Sequence, residues 1–321
     1  MTNNQPQILV SICCITYNHA PFIRKAFEGF LMQLPPSFVP QDAKMSDWCE
    51  ILIHDDCSTD GTDNIIREYA AQYPDLIFPL FEEENQYSHG GAGKIDLYNY
   101  NRARGKYIAY CEGDDYWTDP NKLQKQVNFM EAHPEYSVCF HRYKDINKDG
   151  LPTKMNACDT LFAENDEGID IGIKRYFENW YTQPTTMVFR TKCHQNRWHD
   201  LFTNYCDSCE IYLLLKHGKC RILNFDGANY RHHVGGVASG RARMQSMNIA
   251  LSISGELLLY DPNPYTKKNW QNVILWVLDE LSTKNDKQQY RKVLRQEFIR
   301  MKKYMIPISW IILKRHLIKR K

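Results

Sequence analysis

Residues 106–119 read KYIAYCEGDDYWTD, and the fold and chemistry of this sequence depend on this stretch. Its apolar first half has the composition of a strand buried on both faces of a parallel sheet. Directly behind it, Glu112, Asp114 and Asp115 place three carboxylates within four residues. Carboxylates this close repel one another, and their crowding brings no packing benefit at a strand end. The stretch therefore predicts a buried strand that delivers acidic side chains to a positively charged partner.

Strand and helix patterns alternate around this stretch. Apolar runs predict five strands, at residues 8–17, 49–56, 76–83, 106–115 and 136–146. Between them, apolar residues at helical spacing predict four helices, at residues 20–33, 58–74, 94–105 and 118–134. In the last helix, Asp119 is predicted to be the cap and Pro120 the first helical residue. The alternation predicts an α/β domain with a mostly parallel sheet covered by helices.

The composition is that of a folded protein without a strong net charge. Of 321 residues, 43% are hydrophobic and 24% are charged, which is enough to fill a sizeable core. The 40 basic and 38 acidic residues leave a net charge of +2. Bulk nucleic-acid binding requires a strongly basic face, so the composition argues against that class.

The cysteines and the N-terminus indicate a cytoplasmic protein. Eleven cysteines are scattered along the chain, several of them in strand-like runs, and we expect reduced thiols. Cys206 and Cys209 have CxxC spacing, but no second pair at zinc-finger spacing accompanies them, which disfavours a metal or redox role. The polar, uncharged start MTNNQPQ predicts no secretory signal. No apolar run reaches the roughly 20 residues that span a bilayer.

Polar residues follow three of the predicted strands. TYN follows the first strand, HDDCSTDGT the second and CEGDDYW the fourth. Parallel α/β sheets bind ligands at the carboxyl ends of their strands, so we expect these segments to line one site. Taken alone, Asp55 and Asp56 are equally typical of turn and helix-capping residues. A divalent cation that bridges a diphosphate explains the acids together, because Mg²⁺ and Mn²⁺ take oxygen ligands from carboxylates and phosphates.

Four segments, in this order, resemble a known enzyme family. They are VSICCITYNHAPFIRKAF, EILIHDDCSTDGT, ARGKYIAYCEGDDYWTDPNKLQKQVNFME and NYRHHVGGV. As a set they resemble the inverting nucleotide-sugar glycosyltransferases of family 2, and the resemblance extends over about residues 8–239. The EGDDYW core is most similar to that of bacterial enzymes that build capsule, lipopolysaccharide and other surface polysaccharides.

The resemblance implies a GT-A (Rossmann-like) fold, with a mostly parallel α/β sheet flanked by helices. Residues 1–240 would form the catalytic domain, and residues 241–321 a C-terminal helical extension with a basic amphipathic tail. The implied reaction moves a sugar from a nucleotide-diphosphate sugar, of the UDP type, to a hydroxyl of a glycan or lipid-linked acceptor. It inverts the anomeric centre and uses Mn²⁺ or Mg²⁺.

The resemblance also implies residues that bind the nucleotide sugar. Thr16 and Tyr17 would line the nucleotide pocket, and Asp56 would accept a hydrogen bond from the base ring. Lys94 is the favoured candidate for the cation that the family usually places before the fourth strand. The two other basic residues of this helix are interpreted as solvated helix-end charges: Arg102 and Arg104.

The acidic segment and a later segment, YRHHVGGV, carry the implied metal site. The central metal-binding position of the family falls on Asp114, and Glu112 and Asp115 would support it or contact the sugar. Similar enzymes have a Tyr-Arg-x-His segment on a flexible loop that closes over the sugar donor. By that match Arg231 would meet the diphosphate and His233 the metal, while the adjacent His232 would point the other way.

The implied reaction needs a base near a helix in the second half of the domain. The segment NYCDSCEIYLLLKHGKCRIL offers Asp207 and Glu210 before a Leu-rich helix. We favour Asp207, at the helix entrance, with Glu210 as its rival. The alternative is that Asp207 only caps the helix.

The remaining segments leave several interpretations open. Residues 147–182 lack clear periodicity and are the predicted acceptor region, where Trp180 and Tyr181 would stack on sugars or belong to the core. The end of the chain, YMIPISWIILKRHLIKRK, suits docking on an anionic membrane surface as a peripheral contact or a capping helix with a basic tail. Two other functions remain as alternatives, a nucleotidyltransferase and a non-catalytic carbohydrate-binding protein.

Overall fold

The computed structural model describes residues 8–91, 94–153, 155–236, 242–283, 287–302 and 304, and their strands form one nine-stranded sheet. The strands are β1 Val10–Thr16, β2 Cys49–Asp55, β3 Ile77–Phe81, β4 Tyr107–Glu112, β5 Tyr116–Trp117, β6 Tyr136–Asn147, β7 Gly168–Asp170, β8 Val188–Arg190 and β9 Lys219–His232. The helices are α1 Ile23–Leu31, α2 Thr62–Gln72, α3 Ile95–Tyr100, α4 Lys122–Ala132, α5 Ile173–Tyr176, α6 Asp207–His217, α7 Arg243–Tyr260, α8 Pro264–Thr283 and α9 Lys287–Arg300.

The first half of the sheet is parallel, in the order β3-β2-β1-β4. Helices α1, α2 and α3 connect successive strands, because the crossover between two parallel strands needs a connection long enough to hold a helix. On the central strand β1, Val10, Ile12 and Cys13 are fully buried, because both faces of the strand are covered. The four strands predicted for this half and the α/β class are confirmed.

The second half of the sheet is mixed. β8 is antiparallel to both β4 and β6, while β6 and β9 run parallel to one another. β5 and β7 each pair antiparallel with β9. The long strand β9 ends only at His232, so the prediction that the Tyr-Arg-x-His segment lies on a flexible loop is wrong for Arg231. That residue pairs with Ile146 of β6, which holds it in the sheet.

Aromatic packing joins α1 to strand β5. The rings of Phe30 and Trp117 meet edge to face with their centres 4.9 Å apart. Helix α4 begins at Lys122, with Asn121 as its N-cap residue, so the prediction that Asp119 caps the helix is wrong. Asp119 accepts a hydrogen bond from the backbone N–H of Asn121 at 2.8 Å, which stabilises the turn before the helix instead.

All eleven cysteines are free thiols, and eight of them are buried. Burial raises the pKa of the Cys13 and Cys14 thiols well above the ordinary value, so both stay protonated. Eight of the eleven cysteines therefore lie in the core, and their reduced state stays a prediction.

The chain divides into two compact units, one of residues 1–201 and 205–240 and the other of residues 202–204 and 241–321. The second unit is built on α7, α8 and α9, and its core includes Met247, Leu258 and Trp270. Trp270 donates its indole N–H to Glu297 at 3.0 Å. The predicted C-terminal helices are therefore present. The tail predicted to dock on a membrane lies, after Tyr304, outside the described residues.

None of the described helices is both long enough and apolar enough to cross a membrane.

Candidate active site

The ends of β1, β2 and β4 lie side by side at one edge of the sheet. In register, Thr16 is beside Asp55 and Ile15 is beside Glu112. Because the three strands are parallel, the segments that follow them start at the same edge. The structure thus brings together the three polar segments that the sequence predicts to share a site.

The loop after β1 is fastened to the loop after β2. Asn18 has a left-handed backbone, with φ of 56°, a conformation that Asn tolerates better than most residues. Its side-chain oxygen accepts the N–H of Thr59 at 2.8 Å, and its own N–H donates to Ser58 Oγ at 2.8 Å. His19 donates its N–H to Thr62 Oγ1 at 2.9 Å. These bonds fix the position of the His19 ring beside the end of β4.

Gly113 lets the acidic segment approach β1. Its N–H donates to the carbonyl of Ile15 at 2.9 Å. A Cβ atom at this position would lie 2.8 Å from both Thr16 Oγ1 and Ile23 Cδ1, closer than such contacts occur. The glycine between Glu112 and Asp114 is therefore required by the close packing of the two strand ends.

Asp114 lies between two imidazoles. Its Oδ2 is 2.9 Å from Nε2 of His233 and 3.8 Å from Nε2 of His19. All three side chains are mostly buried, with exposed fractions of 10% to 14%. His233 is one of the two predicted metal ligands, and the structure places it against the other. His19 was not among the predicted site residues, although it directly follows TYN.

Burial alone would raise the pKa of Asp114, but the neighbouring imidazoles of His19 and His233 and the hydrogen bond from His233 outweigh burial and lower it. Burial also lowers the pKa of His19, which favours the neutral imidazole. A carboxylate and a neutral imidazole are the forms in which these side chains bind metals.

The three side chains fit a divalent cation. One ligand atom from each of His19, Asp114 and His233 can be chosen such that all lie within 4.8 Å of one another. The second ring nitrogen of His19, Nδ1, is buried and has no hydrogen-bond partner among the described residues. Imidazoles bind first-row transition metals more readily than Mg²⁺, which prefers oxygen, so the donor set favours Mn²⁺ of the two predicted cations.

Glu112 and Asp115 differ in their surroundings. Burial, followed by the charges of Asp114 and Asp207, raises the pKa of Glu112 well above its ordinary value. Asp115 is buried and accepts the backbone N–H of Arg231 at 2.8 Å. Burial and the charges of Asp114 and Glu112 also raise the pKa of Asp115. The charge of Asp207 thus acts on Glu112, whereas Asp115 links the turn after β4 to β9 through its hydrogen bond with Arg231.

Asp207 is the first residue of α6, and its Oδ1 accepts the N–H of Ser208 at 2.7 Å. The N-cap residue is Cys206, whose side chain makes no capping hydrogen bond. The Asp207 carboxylate satisfies one N–H of the first turn, and its role as the base stays a prediction. Burial raises the pKa of Asp207 above its ordinary value. Asp96 of α3, which sequence reasoning missed, has its pKa raised to about 8 by burial and by the charges of Glu210 and Asp207.

Glu210 points into the interior. It is 2% exposed, and its Oε2 accepts a hydrogen bond from the Tyr100 hydroxyl at 3.3 Å. Its Oε1 is 3.4 Å from Nδ1 of the buried His194. These surroundings favour Asp207 over Glu210 as the group that faces a substrate.

The predicted nucleotide residues lie at the same edge. Tyr17 is exposed, while Thr16 is buried, and Thr16 Oγ1 has no hydrogen-bond partner among the described residues. Asp56 is buried and accepts the N–H groups of Gln86 and Tyr87 at 2.7 and 3.0 Å. In this arrangement Asp56 holds the segment after β3, and its contact with a base stays a prediction.

The three candidate cations before β4 have different partners. Lys94 and Asp200 form an exposed ion pair at 2.9 Å. The prediction that Arg102 is a solvated helix-end charge is wrong, because it donates to the carbonyl of Ile53 in β2 at 2.9 Å. Arg104 is solvated as predicted, with 57% of its side chain exposed, and its guanidinium also pairs at 2.6 Å with the buried carboxylate of Glu50.

The two aromatics of the predicted acceptor region also differ. Tyr181 packs against the hydrophobic core of the sheet, in agreement with the core interpretation. Trp180 donates its indole N–H to Gln183 Oε1 at 2.8 Å in a half-buried position.

The strand order and the acidic turn after β4 define a GT-A-like fold. Residues 11–198, more than half of the chain, match the family described as Glycosyl transferase family 2, and the chain belongs to that family. It is 36% identical over 231 residues to an uncharacterized protein of Mycobacterium tuberculosis, a match that covers 71% of this chain and 60% of that relative. The chain thus spans less than two thirds of the length of this relative.

Two proteins of known structure have similar folds. One is a crystal structure of Staphylococcus aureus TarS residues 1–349 in complex with UDP-GlcNAc, with a TM-score of 0.58 at 18% identity. The match covers 83% of this chain and 72% of the TarS chain. By sequence, TarS, a poly(ribitol-phosphate) beta-N-acetylglucosaminyltransferase, is 27% identical over 164 residues, 51% of this chain and 26% of TarS. The mannosyltransferase PcManGT of Pyrobaculum calidifontis, in complex with GDP-Man and Mn²⁺, has a TM-score of 0.50 at 14% identity over 93% of this chain and 86% of that one.

Proposed function

We propose that this protein is an inverting glycosyltransferase that moves a sugar from a nucleotide-diphosphate sugar, of the UDP class, to a hydroxyl of a glycan or lipid-linked acceptor. The observation that carries the proposal is the grouping of these side chains at the sheet edge. Asp114 lies between His19 and His233, and Asp207 is close enough to Glu112 for its charge to raise the Glu112 pKa. Family membership and the sugar nucleotides bound by TarS and PcManGT support it. The polymeric acceptor named for TarS supports a role in bacterial surface-polysaccharide synthesis.

The residues that would hold the cation are Asp114, His233 and His19. When bound, Mn²⁺ or Mg²⁺ offsets the negative charge that grows on the leaving diphosphate. The bonds that fasten the His19 loop to the loop after β2, and the packing of Gly113 against β1, keep the three ligands in place before any substrate arrives. Such preorganisation avoids reorganisation of the site during the reaction.

Asp207 is the proposed base. In a single displacement, a carboxylate removes the proton of the acceptor hydroxyl as the oxygen attacks the anomeric carbon, and the diphosphate leaves from the opposite face. The bond from Ser208 N–H fixes the Asp207 carboxylate at the start of α6. Its raised pKa brings its basicity closer to that needed for proton transfer near neutral pH.

The nucleotide and the sugar have separate proposed contacts. Tyr17, exposed at the end of β1, would stack on the base, with Thr16 beside it. Asp56 and the backbone segment it holds would read the edge of the base ring. Lys94, released from Asp200, would pair with a phosphate. Two acidic neighbours of the cation site would contact the sugar or support its binding: Glu112 and Asp115.

We infer a cytoplasmic location at the inner face of the membrane, where a lipid-linked acceptor would be presented. A basic, partly apolar C-terminal tail in the sequence is the feature that supports this location.

A panel of UDP- and GDP-sugars tests the proposal. Each sugar nucleotide is incubated with the full chain and Mn²⁺, and release of the nucleoside diphosphate is measured, with Asp114→Asn as the inactive control. We expect release from at least one UDP-sugar that depends on Asp114. Release of pyrophosphate from a sugar phosphate and UTP would instead identify a nucleotidyltransferase, and sugar binding without any turnover would identify a carbohydrate-binding protein.

A further inference from the structure

Arg231 is buried beside the proposed cation site. Its side chain is 3% exposed. Nε donates to the backbone carbonyl of Asp114 at 2.8 Å. Nη1 donates to the carbonyls of Lys148 at 2.9 Å and Asn147 at 3.2 Å. One guanidinium therefore ties the turn after β4, which carries Asp114, to the turn after β6.

Aromatic rings lie near this guanidinium. Its carbon is 4.6 Å from the centre of the Phe22 ring and 5.6 Å from that of Tyr116. The same Phe22 ring packs on His233, with ring centres 4.9 Å apart, and lies 6.4 Å from the ring of His19. Phe22 thus lies close both to the Arg231 guanidinium and to the imidazoles of the cation site.

The backbone of Arg231 completes the connection. Its N–H donates to Asp115 Oδ1 at 2.8 Å, which joins the end of β9 to the acidic turn. His233 follows two residues later, so the position of β9 at Arg231 determines where the His233 ring can lie. Arg231 thus holds both predicted ligands. It binds the backbone carbonyl of Asp114, and it positions His233 because the two residues are only two places apart in the chain.

We propose that Arg231 is a positioning residue, which holds Asp114 and His233 in the geometry needed to bind the cation, and that it does not contact the diphosphate. The proposal rests on the proposed cation-dependent function and replaces the role that family resemblance implies for this residue. A planar guanidinium can hold several carbonyls in fixed directions at once, which an ammonium group cannot do. Its burial leaves little surface for a phosphate.

Arg231→Lys tests the proposal, because it keeps the charge and removes the planar fork. Mn²⁺ affinity of the nucleotide-free protein is measured by electron paramagnetic resonance of free Mn²⁺, and UDP affinity by calorimetry in EDTA. We expect Mn²⁺ affinity to fall by roughly 10- to 100-fold, as for other residues that orient metal ligands, with UDP affinity in EDTA unchanged. Arg142→Lys, at a less buried arginine of β6 that is 28% exposed, is the control and should bind both as the wild type does.

The reverse result is an unchanged Mn²⁺ affinity with weakened UDP binding in EDTA. It would overturn the proposal and support the contact between Arg231 and the diphosphate that the resemblance implies. If Arg231→Lys does not fold, Phe22→Leu provides the second measurement: weaker Mn²⁺ binding supports the positioning role, and wild-type Mn²⁺ binding contradicts it. A wild-type protein that binds no Mn²⁺, with or without UDP, would remove the cation-dependent function itself, which is a different failure.

Discussion

At the residue scale, the acids of the segment after β4 have separate surroundings. Asp114 faces two imidazoles, Asp115 accepts the N–H of Arg231, and Glu112 shares a field with Asp207. Asp119 forms an ion pair at 2.6 Å with Lys125, whose side chain is 44% exposed. Only Asp114 among them has the partners of a metal ligand, so substitutions of these acids should have unequal effects.

Asp114→Asn should abolish Mn²⁺ binding and lower the rate of sugar transfer by at least about 10²-fold, because charge stabilisation in the transition state is lost. Asp119→Asn is the matched control. It should leave transfer unchanged and alter the free energy of unfolding by about 1 kcal/mol or less, since an ion pair with a solvated lysine contributes little and Asn can still accept the N–H of Asn121. Equal losses of transfer in the two variants would contradict this assignment. Steady-state kinetics and urea unfolding measure both effects.

Asp207→Asn should lower kcat by about 10²- to 10⁴-fold while UDP binding persists, since a base is lost and the pocket is kept. The base must be ionised, and burial raises the pKa of Asp207. Activity of the wild type should therefore rise with pH through a limb that lies above the ordinary aspartate value of 3.8. The pH profile of kcat measures this limb.

Glu210→Gln is the rival variant, and it can still accept the Tyr100 hydrogen bond. We expect it to lose less than about tenfold in kcat, because Glu210 faces the interior. Near-native kcat in Asp207→Asn together with a large loss in Glu210→Gln would reverse the two roles.

At the element scale, the strands β1 to β4 were predictable because continuous apolar runs between helices leave few arrangements other than a parallel sheet. The acidic strand ends were predictable for the same reason. β9 was not, because its pairing with β6 and β5 joins residues far apart in sequence, and its apolar run is interrupted by Asp226 and Gly227. The family resemblance implied a flexible loop for its last residues.

The site was predictable where side chains sit on strand ends and less so elsewhere. Asp114 and His233 lie together and Asp207 begins α6, and their roles in binding and catalysis stay predictions. His19 was missed because a lone histidine in a loop carries no ligand pattern. Asp96 was missed because an acid in the first turn of a helix is ordinary. The partners of Arg231 are backbone carbonyls, which leave no trace in a sequence.

The contact between the ends of β1 and β4 gives an element-scale prediction. Gly113→Ala should destabilise the fold by about 1–3 kcal/mol, because the added methyl group overpacks the junction with Thr16 and Ile23. Gly172→Ala is the control, since a Cβ there meets nothing within 4 Å. Urea unfolding of the two variants measures the difference. Equal stability of both variants would show that the strand ends can separate without cost.

At the scale of the whole molecule, the stability of the fold should depend on the buried charge of Lys122. Its ammonium group lies 3.9 Å from the centre of the Trp117 ring and donates to Gln126 at 2.8 Å. Burial lowers the pKa of Lys122 from 10.5 to about 7. Between these values the unfolded chain holds a proton that the folded chain has released.

The contribution of Lys122 therefore destabilises the fold at low pH, and the free energy of unfolding should rise with pH between about 7 and 10.5. The slope from this one group is at most about 1.4 kcal/mol per pH unit. Lys122→Met should remove that part of the slope and be more stable than the wild type near pH 7. Urea unfolding at several pH values compares the two proteins, and identical slopes would contradict the prediction.

The central claim for the molecule is that its strand ends hold a cation for a sugar nucleotide. The most direct measurement is calorimetric titration of UDP and GDP into the full chain, with and without Mn²⁺, in the wild type and in Asp114→Asn. We expect Mn²⁺ to tighten UDP binding by at least about tenfold in the wild type and to have no effect in the variant. Binding of neither nucleotide, or binding that is the same with and without Mn²⁺, would contradict it.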